Sequence, residues 1–407
     1  HLRGHATQTT AKRAFLAVER YAFAPKGSRV GRPRFKRGGQ LSSIEGKEDS
    51  CLVIRDNVFK WSGLTVPVIP ERGPWWDQAN ACPTKFNRIV RRTIRGRARY
   101  FVQSIKAGTA PQRYEIGAGI GAIDIGPSQV AIFVPHKLAA VVPLAPSITE
   151  PVKLKQRLQR KLDRSRRATN PGNYNPDGTV RGGRKLWVKT QSYRRTKAEM
   201  AEVLRKLAAT RKREHGQLTN QMLGLAGTWS GENLSYRSFQ RNYGRSSRDR
   251  AAGLFISTLS HKAESAGGEF RDFETRTTRL SQFDHSTGNY VKKPLNQRIH
   301  VFGDPAIRPV HRDLYSAFLA TAVVHTHSGD ELDKARVSEL WPGAEPLLRQ
   351  PLSSLPQPTK RPGFALPTQH ASSVRVGRRQ TVDHAPGNTS KPLRDKPLPL
   401  AFQTTQV

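Results

Sequence analysis

The sequence is short of cysteine and of long apolar runs. Only two cysteines, Cys51 and Cys82, occur in 407 residues, so a disulfide framework is excluded and a reducing cytoplasm is the expected compartment. No apolar run approaches the roughly 20 residues of a membrane-spanning helix, and no signal peptide is visible. We therefore expect a cytoplasmic protein with no membrane partner.

Acidic residues are scarce as well. Lys and Arg number 69 against 31 Asp and Glu, which gives a formal net charge of +38. So large a surplus repels itself unless a polyanion offsets it, and nucleic acid is the commonest polyanion in cells. The charge therefore argues against a small-molecule enzyme and favours a nucleic-acid partner. The apolar residues, 36% of the chain, still suffice for one core.

Hydrophobic periodicity and turn residues predict alternating helices and strands. The predicted elements, in chain order, are a helical stretch at 11–21, strands within 51–61, 64–69 and 88–102, two strands within 116–135, a helix at 247–266, a strand at 268–273 and a helix that starts at Asp313. The early strands are expected to be antiparallel, with a barrel as one arrangement, and a tight turn at Gly126 and Pro127 joins the two strands of 116–135.

Residues 151–220 are the most basic segment of the chain. They hold 20 Lys or Arg and 5 Asp or Glu, a charge of 20 − 5 = +15. Leu154, Leu158 and Leu162 recur at helical spacing, and a second helical pattern follows a loop rich in Asn and Gly. We predict an αα-hairpin of two amphipathic helices with a basic connection.

Three acids stand out in this acid-poor chain: Asp124 in a strand, Glu232 in TWSGENLSY, and Asp313 at the start of a helix. Each also has a purely structural interpretation, because Asp124 could cap a β-turn, Glu232 could be a solvated loop acid and Asp313 could favour a helix N-terminus. If the fold brings them together, they are hard oxygen ligands of the kind that select Mg²⁺ or Mn²⁺. Two such ions can activate water against a phosphodiester.

Four strings resemble the three segments of a RuvC-type nuclease, namely AIDIG at 122–126, GENLSYRSFQRNYGRS at 231–246, AESAGGEF and TRTTRLSQ within 263–282, and HRDLYSAFLA at 311–320. In particular they resemble the TnpB family of transposon-encoded RNA-guided nucleases, relatives of the type V CRISPR effectors. GRPRFKR at 31–37 resembles the entry into the wedge-like β domain of that family, and the basic hairpin resembles its helical insertion after the first RuvC segment. The likeness covers roughly residues 31–335.

This resemblance implies an α/β fold with an RNase H-like (RuvC) core whose acidic triad maps onto Asp124, Glu232 and Asp313. It implies that the triad binds Mg²⁺ or Mn²⁺ and cleaves double-stranded target DNA selected by a guide RNA from the transposon end. It further implies a monomer with RNA, associated with the nucleoid of a prokaryotic cell. The residues expected to contact phosphates are Arg157, Arg160, Lys161, Arg164, Arg194, Arg195 and Lys197.

The sequence departs from the family pattern in three places. The zinc-ribbon position, 281–311, holds no cysteine, and its Asp284, His285, His300 and His311 do not have thiolate spacing, so we expect no zinc. Tyr315 stands where many members have an Asn two residues after the third acid. The N-terminal recognition part is largely missing and the chain begins with His rather than Met, so we expect an N-terminally truncated fragment.

Four regions are expected. They are a remnant of an N-terminal helical region at 1–30, a β-rich wedge-like domain at 31–113, a RuvC-like nuclease domain at 114–335 that includes the basic insertion at 151–226 and the degenerate zinc-ribbon position at 281–311, and a Pro-rich disordered tail at 336–407. The tail prediction depends on the residues from Trp341 onward, which hold 11 of the 28 prolines and show no clear period.

Two other functions stay open. The lost ribbon and the truncated start favour a catalytically inactive RNA-guided DNA-binding protein or a decayed transposase relic. The string IDIG is also a phosphate-loop pattern of actin-like and sugar-kinase ATPases. The sequence shows no second Gly-rich phosphate loop with a matching Asp, and such an ATPase does not explain a net charge of +38.

Overall fold

A computed structural model describes residues 4–25, 27, 30–35, 41–47, 51–108, 115–236, 239, 241, 244, 248–294, 296–327, 329–350 and 402–404. It shows a mixed α/β protein whose described residues divide into two compact units, one formed by those within 1–109 together with 402–404 and the other by those within 115–350. In the described ranges, no helix is both long enough and apolar enough to cross a membrane.

The first unit contains a seven-stranded sheet. Its helices and strands are α1 (Gly4–Ala22), β1 (Ser43–Gly46), β2 (Val53–Arg55), β3 (Val58–Trp61), β4 (Leu64–Ile69), α2 (Pro74–Ala81), β5 (Thr84–Ile94) and β6 (Arg97–Lys106). The sheet order is β1-β5-β6, then a strand at Phe402–Thr404, then β4-β3-β2. Two-residue turns at 56–57, 62–63 and 95–96 have positive φ at both positions, which matches the twist of antiparallel strands.

The second unit contains a five-stranded sheet with helices on both faces. Its helices and strands are β7 (Ile120–Ile125), β8 (Gln129–Val134), β9 (Leu138–Pro143), α3 (Thr149–Thr169), α4 (Gln191–Leu225), β10 (Thr228–Glu232), α5 (Ala252–Ser265), β11 (Glu269–Phe273), α6 (Thr275–Thr278), β12 (Phe283–Asp284), β13 (Asn289–Tyr290), β14 (Ile299–His300), β15 (Val310–His311), α7 (Arg312–Leu319), β16 (Val323–Thr326), β17 (Gly329–Leu332) and α8 (Lys334–Arg349). The sheet order is β11-β10-β7-β8-β9. β7, β10 and β11 run parallel, whereas β8 and β9 continue from β7 as an antiparallel meander.

Alternation along β7 and β8 fills two apolar layers, one on each face of the sheet. Ile123 and Ile132 belong to the layer that includes Phe255 of α5 and the C-terminal end of α4. Phe133 belongs to the opposite layer, where its ring meets the ring of Phe318 of α7 edge-on with centroids 5.4 Å apart. Each fully buried side chain of this size stabilises the fold by about 1.5–3 kcal/mol, so the sheet is firmly held at its centre.

The expected disordered tail at 336–407 is wrong for its first part, because α8 is a helix. Val337, Trp341, Ala344 and Leu348 are buried on one side of it and join the layer that contains α7. Their spacing of four, three and four residues is a helical period that the prolines at 342 and 346 had obscured. Residues 351–401 and 405–407, the rest of the predicted tail, lie outside the described residues.

Candidate active site

Two of the three expected acids lie side by side at the carboxyl ends of adjacent parallel strands. Asp124 is the penultimate residue of β7 and Glu232 is the last residue of β10. The last registered pair of these strands is Gly231 with Ile123, so Glu232 and Asp124 are neighbours at the next step. Because side chains alternate along a strand, both acids lie on one face of the sheet. The carboxyl ends of strands in open α/β sheets are the usual position of ligand sites.

Two glycines make room for the large side chains that lie beside them where β7 and β10 pair. The Trp229 ring is fully buried, and a Cβ on Gly121 would lie 2.7 Å from it. On β10, a Cβ on Gly231 would lie 3.0 Å from the Ile123 side chain. The indole Nε1 of Trp229 donates to the carbonyl of Ala226, at 2.9 Å. The strand ends that carry the acids are therefore fixed by tight packing.

The third acid reaches the same edge from helix α7. Asp313 is in the first turn of α7, and this helix packs on β7 and β8. Ser316 is three residues further along and lies on the same helix face as Asp313. Its hydroxyl is buried near Asp124 but has no hydrogen-bond partner of normal geometry among the described residues.

The carboxylates influence one another electrostatically. Burial first, then the negative charges of Glu232 and Asp313, raise the pKa of Asp124 well above its usual range. Arg312 and the Ser316 hydroxyl offset a part of this rise. Burial raises the pKa of Glu232 to about 7. The carboxylates are therefore poorly solvated when they are ionised, and a bound cation would offset the repulsion between them.

The three acids have the right ligand atoms for a divalent ion, but their side chains are not arranged around one. Three carboxylates at one edge are oxygen donors of the kind that Mg²⁺ and Mn²⁺ prefer. Across the part of the chain that the structure describes, however, no three His, Cys, Asp or Glu side chains stand ready to hold a metal ion. Asp313 is directed to two arginines, with Arg312 Nε 3.5 Å from Oδ1 and Arg298 Nη1 3.6 Å from Oδ2. The Asp313 carboxylate must therefore turn toward the other two acids before the three can share one ion.

The seven expected phosphate contacts all have exposed side chains on the basic hairpin. Those on α3 are Arg157, Arg160, Lys161 and Arg164, and those on α4 are Arg194, Arg195 and Lys197. None of the seven forms an ion pair with a described Asp or Glu. With a rise of about 1.5 Å per residue, α4 extends about 50 Å, so the hairpin carries free cations over a long surface.

The residues around Asp284, in the stretch where the resemblance implies a zinc ribbon, are held together by hydrogen bonds and ring contacts. The Asp284 carboxylate accepts from the backbone N–H of Gly303, at 2.7 Å, and from the N–H and hydroxyl of Ser286. The rings of His285 and His300 pack against Tyr315, whose hydroxyl lies 2.9 Å from His285 Nδ1. Tyr315 thus fills a packing position rather than a position in the site.

Sequence reasoning missed three side chains near the acids. Arg312 and Ser316 offset a part of the pKa rise of Asp124. Sequence reasoning could have found them because they lie one residue before and three residues after Asp313, at the start of a predicted helix. Tyr236 was missed as well, although it lies inside the GENLSYRSF string. Its hydroxyl is buried without a described hydrogen-bond partner, and burial with the charges of Glu232 and Asp272 raises its pKa to about 12.

Comparisons with known proteins give a remote structural likeness and no sequence match. No family model matches the chain, and no curated protein matches it. Among solved structures, it is similar to a chain in the cryo-EM structure of a Cas12f1–sgRNA–target DNA complex, at 12% sequence identity and a TM-score of 0.42. The match covers 72% of this chain and 66% of the Cas12f1-complex chain, so the sequence spans slightly less than two thirds of its structural neighbour.

Proposed function

We propose that this chain is a divalent-metal-dependent DNA endonuclease of the TnpB kind, directed to its target by a guide RNA from a transposon end. One observation carries the proposal. Asp124, Glu232 and Asp313, which are separated by 108 and 81 residues in the sequence, come to one sheet edge, where the charges of Glu232 and Asp313 raise the pKa of Asp124. Each of them comes from a different string that resembles a RuvC segment.

The arrangement gives the acids distinct roles. Asp124 and Glu232, side by side on β7 and β10, would hold Mg²⁺ or Mn²⁺, and Asp313 would join them after it leaves Arg298 and Arg312. When bound, such an ion polarises a phosphodiester and lowers the pKa of an attacking water. In an RNase H-like core, this face of the sheet would be where the phosphodiester lies.

Charge on the rest of the second unit supports a nucleic-acid substrate. The hairpin offers exposed cations without acidic partners, which can neutralise phosphates and release counterions. Contacts of this kind hold a guide RNA and its heteroduplex by backbone and shape, and they leave sequence selection to base pairing.

The test is cleavage by the full chain purified with the RNA that it retains. That RNA is sequenced, and supercoiled plasmid carrying the matching target is incubated with the complex and Mg²⁺. We expect cleavage that stops with EDTA and falls at least about 10³-fold in Asp124→Ala, since metal-assisted catalysis supplies several kcal/mol. The matched control is Glu339→Ala, an exposed acid on α8, which should cleave normally. Equal cleavage by Asp124→Ala and wild type would overturn the proposal.

A second function is favoured by the two arginines at Asp313. If their ion pairs persist when nucleic acid binds, the site stays without its third ligand and the chain is an RNA-guided DNA-binding protein without catalysis. In that case the complex would bind matched DNA with unchanged affinity in Asp124→Ala, and wild type would leave the plasmid intact. Binding measured beside cleavage separates these two functions.

A further inference from the structure

The connection between α3 and α4, residues 170–190, is a built structure at the far end of the basic hairpin. Asn170 is buried and joins the beginning and end of this tip: its amide donates to the carbonyls of Arg166 and Val188, at 2.9 and 3.0 Å, and its Oδ1 accepts from the Val188 N–H, at 2.7 Å. Asn173 Nδ2 donates to the Leu186 carbonyl, at 2.9 Å. The backbone at 186–188 is therefore held in place.

Aromatic and cationic side chains support the tip from within. The rings of Tyr174 and Trp187 meet edge-on with centroids 5.8 Å apart. The Arg166 guanidinium lies 4.9 Å from the Trp187 ring and donates to the Tyr174 hydroxyl, at 2.8 Å. Arg167 covers the Tyr174 ring at 4.9 Å. Trp187 is half-buried against these groups, whereas its neighbours on both sides in the sequence are exposed and face outward.

Those outward neighbours are apolar. Leu186 is 85% exposed and Val188 is 56% exposed, and Val180 of the same tip is 45% exposed. Exposed Arg181, Arg184 and Lys189 surround them. Scattered apolar residues on a surface need no explanation. Two exposed aliphatic side chains on one side of a hydrogen-bonded segment, within a hairpin of charge +15, do need one.

We propose that Leu186 and Val188 are an apolar contact for exposed base faces at a duplex end or junction of the bound nucleic acid. The proposal depends on the nucleic-acid binding proposed above. The surrounding positive charge selects a polyanion, and phosphates offer nothing to an aliphatic side chain. The apolar surface of nucleic acid is the face of its bases, and aliphatic side chains insert at such faces in known complexes. In a continuous duplex these faces are stacked, so the contact requires an end, a junction or an unpaired base.

The test measures binding of the full chain, with its retained RNA, to two fluorescent DNA probes. One probe is a duplex with a short single-stranded overhang whose first unpaired base is 2-aminopurine. The other is a relaxed, covalently closed circular duplex that contains the same sequence, with no ends or unpaired bases and with 2-aminopurine inside a base pair. The variant is Leu186→Ser with Val188→Ser, and the control is Leu204→Ser on α4, which is 45% exposed in wild type.

For the overhang probe, we expect about ten-fold weaker binding by the double variant, because burial of two aliphatic side chains contributes on this scale. The 2-aminopurine fluorescence change should vanish, while the salt dependence and the binding of the closed probe stay as in wild type. Leu204→Ser should behave as wild type on both probes.

Three results would overturn the inference. Equal overhang binding and fluorescence in wild type and the double variant exclude the contact and leave the proposed function standing. An equal loss on both probes means that the tip contacts the backbone rather than bases. If wild type binds neither probe, the proposed function and this inference fall together.

Discussion

The acid site and the basic hairpin of the second unit differ in how well water solvates their charges. At the sheet edge, three acids lie in a partly buried place where they repel one another. On the hairpin, seven Arg and Lys side chains are exposed and have no described acidic partner. Water solvates and screens the hairpin charges, so they destabilise the fold little. The charges of the acids are partly desolvated, and they destabilise the fold until protonation or a bound cation neutralises them.

This difference indicates which of the two regions depends on a bound ligand. The two helices of the hairpin pack on a small apolar core that includes Leu158, Val203 and Leu207, so their contact does not depend on a bound ligand. The acid site is relieved by a proton at low pH and, in our proposal, by Mg²⁺ at neutral pH.

The largest effect is expected from salt acting on the hairpin. If six or more phosphates are contacted, affinity for nucleic acid should fall roughly 10³-fold or more between 50 and 200 mM salt. Fluorescence anisotropy of a labelled duplex across this range measures the slope. A flat response would contradict the proposed role of the hairpin in both candidate functions.

The next effect is the pH dependence of stability at the acid site. The pKa of Glu232 is about 7 in the folded chain and 4.5 ordinarily, so between these values the folded state binds more protons and its stability falls as pH rises. From pH 5 to pH 8, without divalent ions, this group should remove roughly 2–3 kcal/mol, or about 10²-fold in the folding constant.

The measurement is urea unfolding of wild type and Glu232→Gln at both pH values. The Gln variant should lose less stability than wild type as pH rises, because it lacks both the Glu232 carboxyl and the repulsion that this carboxyl exerts on Asp124. Titrating groups away from the site cancel in the comparison. Glu339→Gln, an exposed control on α8, should follow wild type. Parallel pH curves for wild type and Glu232→Gln would show that the glutamate is not desolvated.

A smaller effect should follow from overpacking the strands that position the acids. Gly121→Ala places a Cβ 2.7 Å from the Trp229 ring, and such overpacking costs about 2 kcal/mol. Gly182→Ala in the tip adds a methyl group to open space and is the control. Thermal unfolding distinguishes them, and equal melting temperatures would mean that β7 and β10 are not tightly coupled.

The smallest effect separates paired from unpaired cations on the hairpin. Arg160→Gln with Arg164→Gln removes two free cations, so the salt slope should fall by about two and the loss between 50 and 200 mM should shrink about ten-fold. Arg205→Gln is the control, since this guanidinium is already paired with Glu202 at 2.7 Å. If Arg205→Gln changes the slope as much as the double variant, exposure does not identify the contacts.

Local patterns predicted much of the secondary structure. The turn at Gly126 and Pro127 does separate β7 from β8, and the leucine spacing does mark α3. Helix α8 was missed because its prolines suggested disorder, and the apolar side on which it packs became visible only against α7. No strand was predicted at Glu232, for which a solvated loop was the purely structural interpretation, because the run before it is too short to show a period; it ends β10.

For the site, the acids could be named from the sequence but their surroundings could not. The ion pairs of Asp313 with Arg298 and Arg312 depend on how β14, β15 and α7 meet, which no local pattern encodes. The role of Tyr315 in packing against His285 and His300 depends on tertiary structure in the same way. Tyr236 beside Glu232 carried no separate signal.

The central claim is that distant carboxylates share one divalent ion, and Mn²⁺ binding measured by electron paramagnetic resonance tests it most directly. The full chain with its RNA is titrated with Mn²⁺ beside Asp124→Asn, Glu232→Gln and Asp313→Asn. We predict a saturable site in wild type that each substitution weakens at least about ten-fold, because each removes one carboxylate ligand. Identical binding by wild type and all three variants would contradict the account.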